Sequence, residues 1–417
     1  MDVATTPPRA AAGTDGGRRS GRGGVTSARV AIVLAAIVAA AGDMGCGVHT
    51  AETRGPEPAT SPGTAPSSSP TLLPSATGPF GKPVAPFTPT PASAAPSGFQ
   101  PWTVTAVSES QYWVLGTDAG CTACTPVVWE TTDAGQTFSS VPGPPTHVAD
   151  LSQGTATSVS ELRFADGDDG WAFGPGLWAT HDDGEHWQSI DLQGEVTDLE
   201  PGAGGYVYAV VDLCAMGGNG ECPIEVVRST AASDAWSVVL TVDDASAPPP
   251  SLGIHGTDVW LLAATGLWRS LDDGASFDQL PTPCTADLGG RIDPVTASAV
   301  WAFCPTGNEG GPWVSTDGGQ SFSSAYGNEV WSNAAMVSAL SASTAFLTGI
   351  GALDETDDGG ASYRAVPAFD GSGAWWLGFT DASVGYAWVA DQLPGGTQLQ
   401  LWRTGDGGAD WTLVTFP

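Results

Sequence analysis

A short pattern recurs along the last three quarters of this 417-residue chain: Ser or Thr, any residue, Asp, any residue, Gly, two further residues, then an aromatic. It occupies Thr131–Phe138, Thr180–Trp187, Ser270–Phe277, Ser315–Phe322, Thr356–Tyr363 and Thr404–Trp411. A degenerate seventh copy, Ser229–Trp236, keeps the frame and the aromatic but lacks the Asp and the Gly. The repeated aspartates are Asp133, Asp182, Asp272, Asp317, Asp358 and Asp406. With Ala231 standing in the vacant column, successive copies lie 49, 49, 41, 45, 41 and 48 residues apart. A period of about 40 to 50 residues with a fixed turn signature indicates propeller blades. The residue types suit a tight turn: Asp accepts hydrogen bonds from backbone N–H groups just ahead of it, and Gly takes the positive φ. The aromatic then starts the next strand facing inward.

An aromatic-rich strand precedes each copy, at Tyr112–Val114, Gly170–Phe173, Tyr206–Ala209, Val259–Leu261, Val300–Phe303, Ala345–Leu347 and Gly385–Trp388. A further strand carries Trp129, Trp178, Trp268, Trp313 and Trp402 just ahead of its turn. Seven strands with seven turns predict an all-β, seven-bladed β-propeller of four-stranded antiparallel blades over residues 100–417. The composition agrees, since 56 Gly, 33 Pro and 17 Trp describe a turn-rich chain poor in helix formers. Aromatics that repeat with the blade are assigned to packing between blades.

The pattern resembles the Asp-box, or BNR, repeat of sialidases, sortilin-type ectodomains, some glucan hydrolases and photosystem II assembly factor-like propellers of bacteria. The resemblance covers about residues 100–417. It implies that the box is structural and joins the third and fourth strands of each blade. It implies no single activity.

The N-terminus reads as an export signal. Arg18, Arg19, Arg22 and Arg29 precede an apolar run from Val30 to Ala41. That run is shorter than the roughly 20 residues that span a bilayer. Residues 1–45 are therefore expected to be a lipoprotein-type signal peptide, with cleavage before Cys46 and lipidation there. Asp43 stands where such sites carry an aliphatic residue, and ordinary secretion after Ala39–Ala41 is the alternative. Cysteine parity favours Cys46, because removing it from the seven leaves six that can pair: Cys121 with Cys124, Cys214 with Cys222, and Cys284 with Cys304. Residues 46–99, rich in Pro, Ser, Thr and Ala, are expected to be a disordered stalk.

A formal charge of -32 argues against nucleic acid and against anionic lipid as partners. Membrane attachment is expected through the N-terminal lipid alone, with the chain otherwise a monomer. No cofactor or metal is expected. Cys121–Cys124 lacks a second Cys pair or His cluster at ligand spacing, and Asp166–Gly170 lacks the remaining ligands of a calcium loop.

In an up-and-down blade the boxes share one face of the disc with the first-to-second turns. The second-to-third turns and blade connections share the other, where all the paired cysteines fall. That stapled face, with loops expected to be long in blades one, three, five and seven, is the candidate recognition surface. Trp331, Trp375 and Trp376 lie outside the repeat columns and are candidate ligand-stacking residues. A sialidase, as the resemblance implies, would need an arginine triad, and Arg163, Arg228, Arg269, Arg291, Arg364 and Arg403 form no recognisable set. Arg269 and Arg403 occupy matching positions before their boxes, as repeat features do. No catalytic residue is assigned. The expected function is a non-catalytic extracytoplasmic platform for a protein or cell-envelope glycan; the alternative is a glycoside hydrolase.

Overall fold

A computed structural model describes residues 99–118, 124–149, 156–213, 222–244, 249–285, 288–306, 309–326, 331–332, 336–349, 352–369, 373–393 and 396–416. They form an all-β, seven-bladed β-propeller. Blade one comprises β1 (Phe99–Ala106), β2 (Tyr112–Asp118), β3 (Val127–Thr131) and β4 (Ser139–Val141). Blade two comprises β5 (Glu161–Phe164), β6 (Asp169–Phe173), β7 (Leu177–His181) and β8 (Gln188–Ile190). Blade three has β9 (Glu195–Pro201), β10 (Tyr206–Asp212), β11 (Cys222–Thr230) and β12 (Ser237–Asp244). Blade four has β13 (Ser251–His255), β14 (Asp258–Ala263), β15 (Gly266–Ser270) and β16 (Asp278–Leu280). In blade five β17 (Arg291–Pro294), β18 (Val300–Pro305), β19 (Glu309–Ser315) and β20 (Ser323–Ser324) are joined by β21 (Trp331–Ser332), which pairs with β19. Blade six is β22 (Val337–Ala339), β23 (Ala345–Gly349), β24 (Ala352–Thr356) and β25 (Arg364–Ala365). Blade seven is β26 (Gly373–Phe379), β27 (Gly385–Leu393), β28 (Gly396–Thr404) and β29 (Thr412–Leu413).

Burial grades outward from the second strand. β6 and β14 are buried at every position, because neighbouring blades cover both faces of the sheet there. First strands such as β5 alternate, one face in the core and one toward the central channel. Trp113, Trp171, Trp260 and Trp301 are fully buried in the second strands. Seven apolar clusters lie one to a seam between successive blades.

Among the described residues the seam between blades seven and one closes the ring without exchanging a strand, each blade drawing its four strands from one stretch of chain. There Val104, Tyr112 and Val114 pack against Tyr386, Trp388 and Phe416. Phe416 meets Phe99 edge-on, with centroids 4.9 Å apart.

Two loop expectations are corrected. In blade seven β27 and β28 pair as far as Leu393 and Gly396, and in blade five β18 and β19 pair as far as Pro305 and Gly310. Residues read as long loops instead extend these hairpins, since backbone pairing satisfies N–H and C=O groups that a loop would leave to solvent.

Candidate functional site

Each of the six aspartates is bound inside its own turn. Oδ1 accepts the N–H of the residue four positions on, at 2.8–3.0 Å. The same oxygen accepts the Ser or Thr hydroxyl two positions back, also at 2.8–3.0 Å. That hydroxyl oxygen accepts the Gly N–H at 2.8–2.9 Å. Hydrogen bonds from Ser321 hold Asp317 down at about 2, and those from Ser362 do the same for Asp358. These carboxylates are committed to turn geometry.

The turns also serve the seams. Arg269 Nη1 donates to Gly318 O at 2.9 Å and its Nη2 to Ala297 O at 2.8 Å, while Asp258 holds Nη2 from within blade four at 2.6 Å. Arg403 Nη2 of blade seven donates to Glu109 O of blade one at 2.8 Å. Arg228 reaches Asp273 O of blade four. Trp113 Nε1 donates to Asp183 of blade two at 3.0 Å, and Trp301 Nε1 to Ser341 O of blade six at 2.9 Å. Sequence reasoning passed over Arg228 because its box is degenerate, although its position before Ser229 matches Arg269 before Ser270.

Blade three, without the box, is tied differently. Ser229 Oγ donates to Ser233 O, and Asp234 receives His181 Nε2 of blade two at 3.2 Å. His181 Nδ1 lies 2.6 Å from Asp169 Oδ1.

A polar series in the first strands lines the central channel. Thr105 Oγ1 accepts Phe164 N–H of the next blade at 3.1 Å, and Asp198 Oδ2 accepts Leu252 N–H at 2.9 Å. Ser251 Oγ accepts Ile292 N–H at 3.2 Å, and Asp293 Oδ2 accepts Ala339 N–H at 2.7 Å. Burial pushes Asp293 up to about 6. Arg163 fills the corresponding place in blade two, 3.1 Å from Glu200 and 3.5 Å from Glu161. Burial pushes Glu200 up, against the pull of Arg163 and with the charge of Asp198 adding to the rise. The recurrence of a polar residue in six of the seven first strands, β26 of blade seven having none, was the sequence signal for this series.

On the stapled face, Cys284 and Cys304 form a disulfide linking the start of blade five to the end of β18. Cys124 is disulfide-bonded. Cys46, Cys121 and Cys214 lie outside the described residues, as do the signal and linker segments up to Gly98, and Cys222 is described in its backbone alone. Trp376 is half-buried against the closing seam, which makes it a packing residue rather than an open stacking platform. A register shift between Ala374 and Trp376 interrupts the alternation expected for Trp375 and Trp376. Trp331 pairs with Gly310; the side chains of Trp331 and Trp375 lie outside the described residues.

A shallow pocket of about 370 Å³ is lined by Ala179, Thr180, His181, Asp182, His186, Trp187 and Gln188. Among the described residues no group of three or more His, Cys, Asp or Glu is placed to hold a metal ion. Among them, too, no helix is long and apolar enough to cross a membrane.

No protein-family profile matches this chain, and no curated protein matches it in sequence. Solved structures do match in fold. YCF48 bound to a D1 peptide is 16% identical, with a TM-score of 0.50 over 77% of this chain and 98% of that one. A puromycin-hydrolyzing peptidase of Mycobacterium tuberculosis is 12% identical, with a TM-score of 0.53 over 79% of this chain and 55% of the peptidase. A GH74 xyloglucanase of Xanthomonas campestris is 16% identical, with a TM-score of 0.46 over 61% of this chain and 45% of the enzyme. At these identities the likeness is one of fold, and propellers of this kind occur both in binding proteins and in enzymes.

Proposed function

We propose that this chain is a non-catalytic, extracytoplasmic β-propeller that serves as a binding or assembly platform for a protein or a cell-envelope glycan. The observation that carries the reading is where its arginines go. Arg163, Arg228, Arg269 and Arg403 reach across four different seams, and Arg364 pairs with Glu355 and Asp357 of its own blade. Guanidiniums that a sialidase would aim at one substrate carboxylate here hold blades together. The same reading takes the repeated turns as structural Asp-boxes, residues 1–45 as a lipoprotein signal, Cys46 as the lipidated residue and residues 46–99 as a stalk. The Cys284–Cys304 disulfide fits an oxidising compartment. The likeness in fold to YCF48, a propeller seen holding a peptide, supports a protein-facing role.

One observation favours a glycoside hydrolase as the second reading. Glu161 and Glu200 flank Arg163, and burial raises Glu200 above the ordinary carboxylate range, the direction that suits an acid catalyst. Arg163 stands between Glu161 and Glu200, where a substrate would have to enter.

A screen of the purified protein against sialosides and β-glucans separates the two. The platform reading expects no turnover, together with retention on immobilised envelope protein or glycan that is lost when the loops around Cys124 and Cys284 are replaced. Turnover abolished by Glu200→Gln would overturn it. Cys46→Ser should move the protein from the membrane fraction to the medium, and unchanged fractionation would reject the lipid anchor.

A further inference from the structure

The outermost strand of a propeller blade is a sheet edge, and an uncovered edge is a template for another strand. Among the described residues the outermost strand is short in six of the seven blades. β4, β8 and β16 have three residues each, and β20, β25 and β29 have two. Blade three departs from that rule. β12 runs for eight residues, Ser237–Asp244, and among the described strands it pairs with β11 alone.

The extra length lies at the end of the hairpin remote from the turn. Arg228 faces Ser237 just as Arg269 faces Asp278 in blade four, so the third strand ends and the fourth begins in the same register with or without the box. In blade three the pairing then continues out to Cys222 and Asp244. Along β12, Leu240 and Val242 pack toward blade four, against Val226 and Ile224. The other face is open. Val238 keeps 52% of its surface, one of three large exposed apolar side chains among the described residues, and Thr241 and Asp243 are exposed as well. Glu225 lies opposite Thr241 and diagonal to Asp243, so this face is apolar at one end and acidic at the other.

We propose that the edge of β12 is a peptide-docking site. It takes an extended segment of a partner protein as a fifth, antiparallel strand of blade three. The partner is defined by chemistry: basic residues at the N-terminal end of the segment, which antiparallel pairing brings to Asp243 and Glu225, and apolar residues toward Val238. Main-chain hydrogen bonds supply affinity, and alternate side chains supply selectivity. The formal charge of -32 attracts such a segment and repels a second copy of this chain. An eight-residue edge also falls short of the roughly 1,000 Å² that a stable self-interface needs. The site lies on the rim, its acidic end beside Cys222 at the stapled face but apart from the loops around Cys124 and Cys284, and goes beyond the platform reading. A negative result here leaves loop-dependent retention untouched.

The test titrates the full-length protein into a fluorescein-labelled peptide, Lys-Lys-Thr-Val-Thr-Val-Thr-Val, read by anisotropy. Two further peptides are N-methylated at every second residue, one in each alternation. The expected result is saturable binding that weakens with salt, with one methylated peptide binding like the parent and the other at least about tenfold weaker. Asp243→Lys should weaken binding, while Asp278→Lys on the short β16 edge should leave it unchanged. Amide exchange at Val238–Asp243 should slow when the peptide binds. Absence of binding, equal binding of both methylated peptides, or equal effects of the two charge reversals would overturn the proposal. Self-association in sedimentation that Val238→Lys abolishes would also overturn it, because the edge would then serve a second copy.

Discussion

His181 of blade two is held between two carboxylates, Asp169 in its own blade at 2.6 Å and Asp234 of blade three at 3.2 Å. Burial pulls the imidazole down, but the hydrogen bonds to Asp169 and Asp234 outweigh it and leave its pKa above the ordinary value. This bridge takes the place of turn chemistry that blade three has lost.

The bridge makes stability pH-dependent, with a definite sign. A folded-state pKa above the unfolded value of about 6.5 means that the contribution is complete below that pH. It is lost as pH rises through the folded value. The urea midpoint of the native protein should therefore exceed that of His181→Gln in mild acid, and the gap should narrow toward pH 8 or so. His186, paired with Asp182 on the surface, is present in both proteins and cancels in the difference. A gap that stays constant or widens with pH would reject the bridge.

The disulfide gives a second prediction. Cys284 and Cys304 are 20 residues apart and buried, so opening the bridge frees a loop in the unfolded chain and exposes two packed sulfurs. A double Cys284→Ser, Cys304→Ser variant should lose about 3 kcal/mol of unfolding free energy on the chain-entropy account. Chemical denaturation checks this, and dithiothreitol should have little further effect at this site in that variant.

The number of blades was legible in the sequence because each blade repeats a turn whose residue types are dictated by local chemistry, as at Asp317 with Ser315 and Gly319. What joins the blades was less legible. The contact from Arg403 to Glu109 spans 294 positions, and nothing near either residue announces the other. His181 occupies a variable position within a box, and Asp234 lies outside the vacant Asp column of the degenerate copy. Their meeting depends on how two blades lie against each other. The β12 edge was hidden for a related reason: its extra pairs, out to Cys222 and Asp244, lie at the end of the hairpin remote from the repeated turn, where no motif marks how far a fourth strand runs.

Glycine at the end of a turn offers a third prediction. Gly408 has φ +93°, and a Cβ there would run into the Phe346 ring across the seam between blades six and seven. Gly256 has φ +62° with no atom within 4 Å of such a Cβ. Gly256→Ala should reveal the backbone strain alone, about 1 kcal/mol. Gly408→Ala should be worse by a further 1–3 kcal/mol or so, because the ring must leave its packed position. Equal losses in denaturant titrations would show that the seam yields freely.

The closing seam supplies the last prediction. Among the described residues no strand is exchanged between the first and last blades, so their apolar contact holds the ring, and Phe416 is central to it. Its ring is buried, 4.9 Å from Phe99 and 5.0 Å from Phe138, and packs with Tyr386 and Trp388. Phe416→Ala removes a buried aromatic where two blades meet, and should cost about 3–5 kcal/mol. Leu413, three residues earlier on the outer strand, is 43% exposed, and its change to Ala should stay within about 0.5 kcal/mol. Because each seam holds its neighbours in place, the Phe416 variant should also speed amide exchange in β1 and β28 before it affects β14, on the far side of the ring. Uniform acceleration in all three strands would mean that the ring opens as one unit, with no privileged seam.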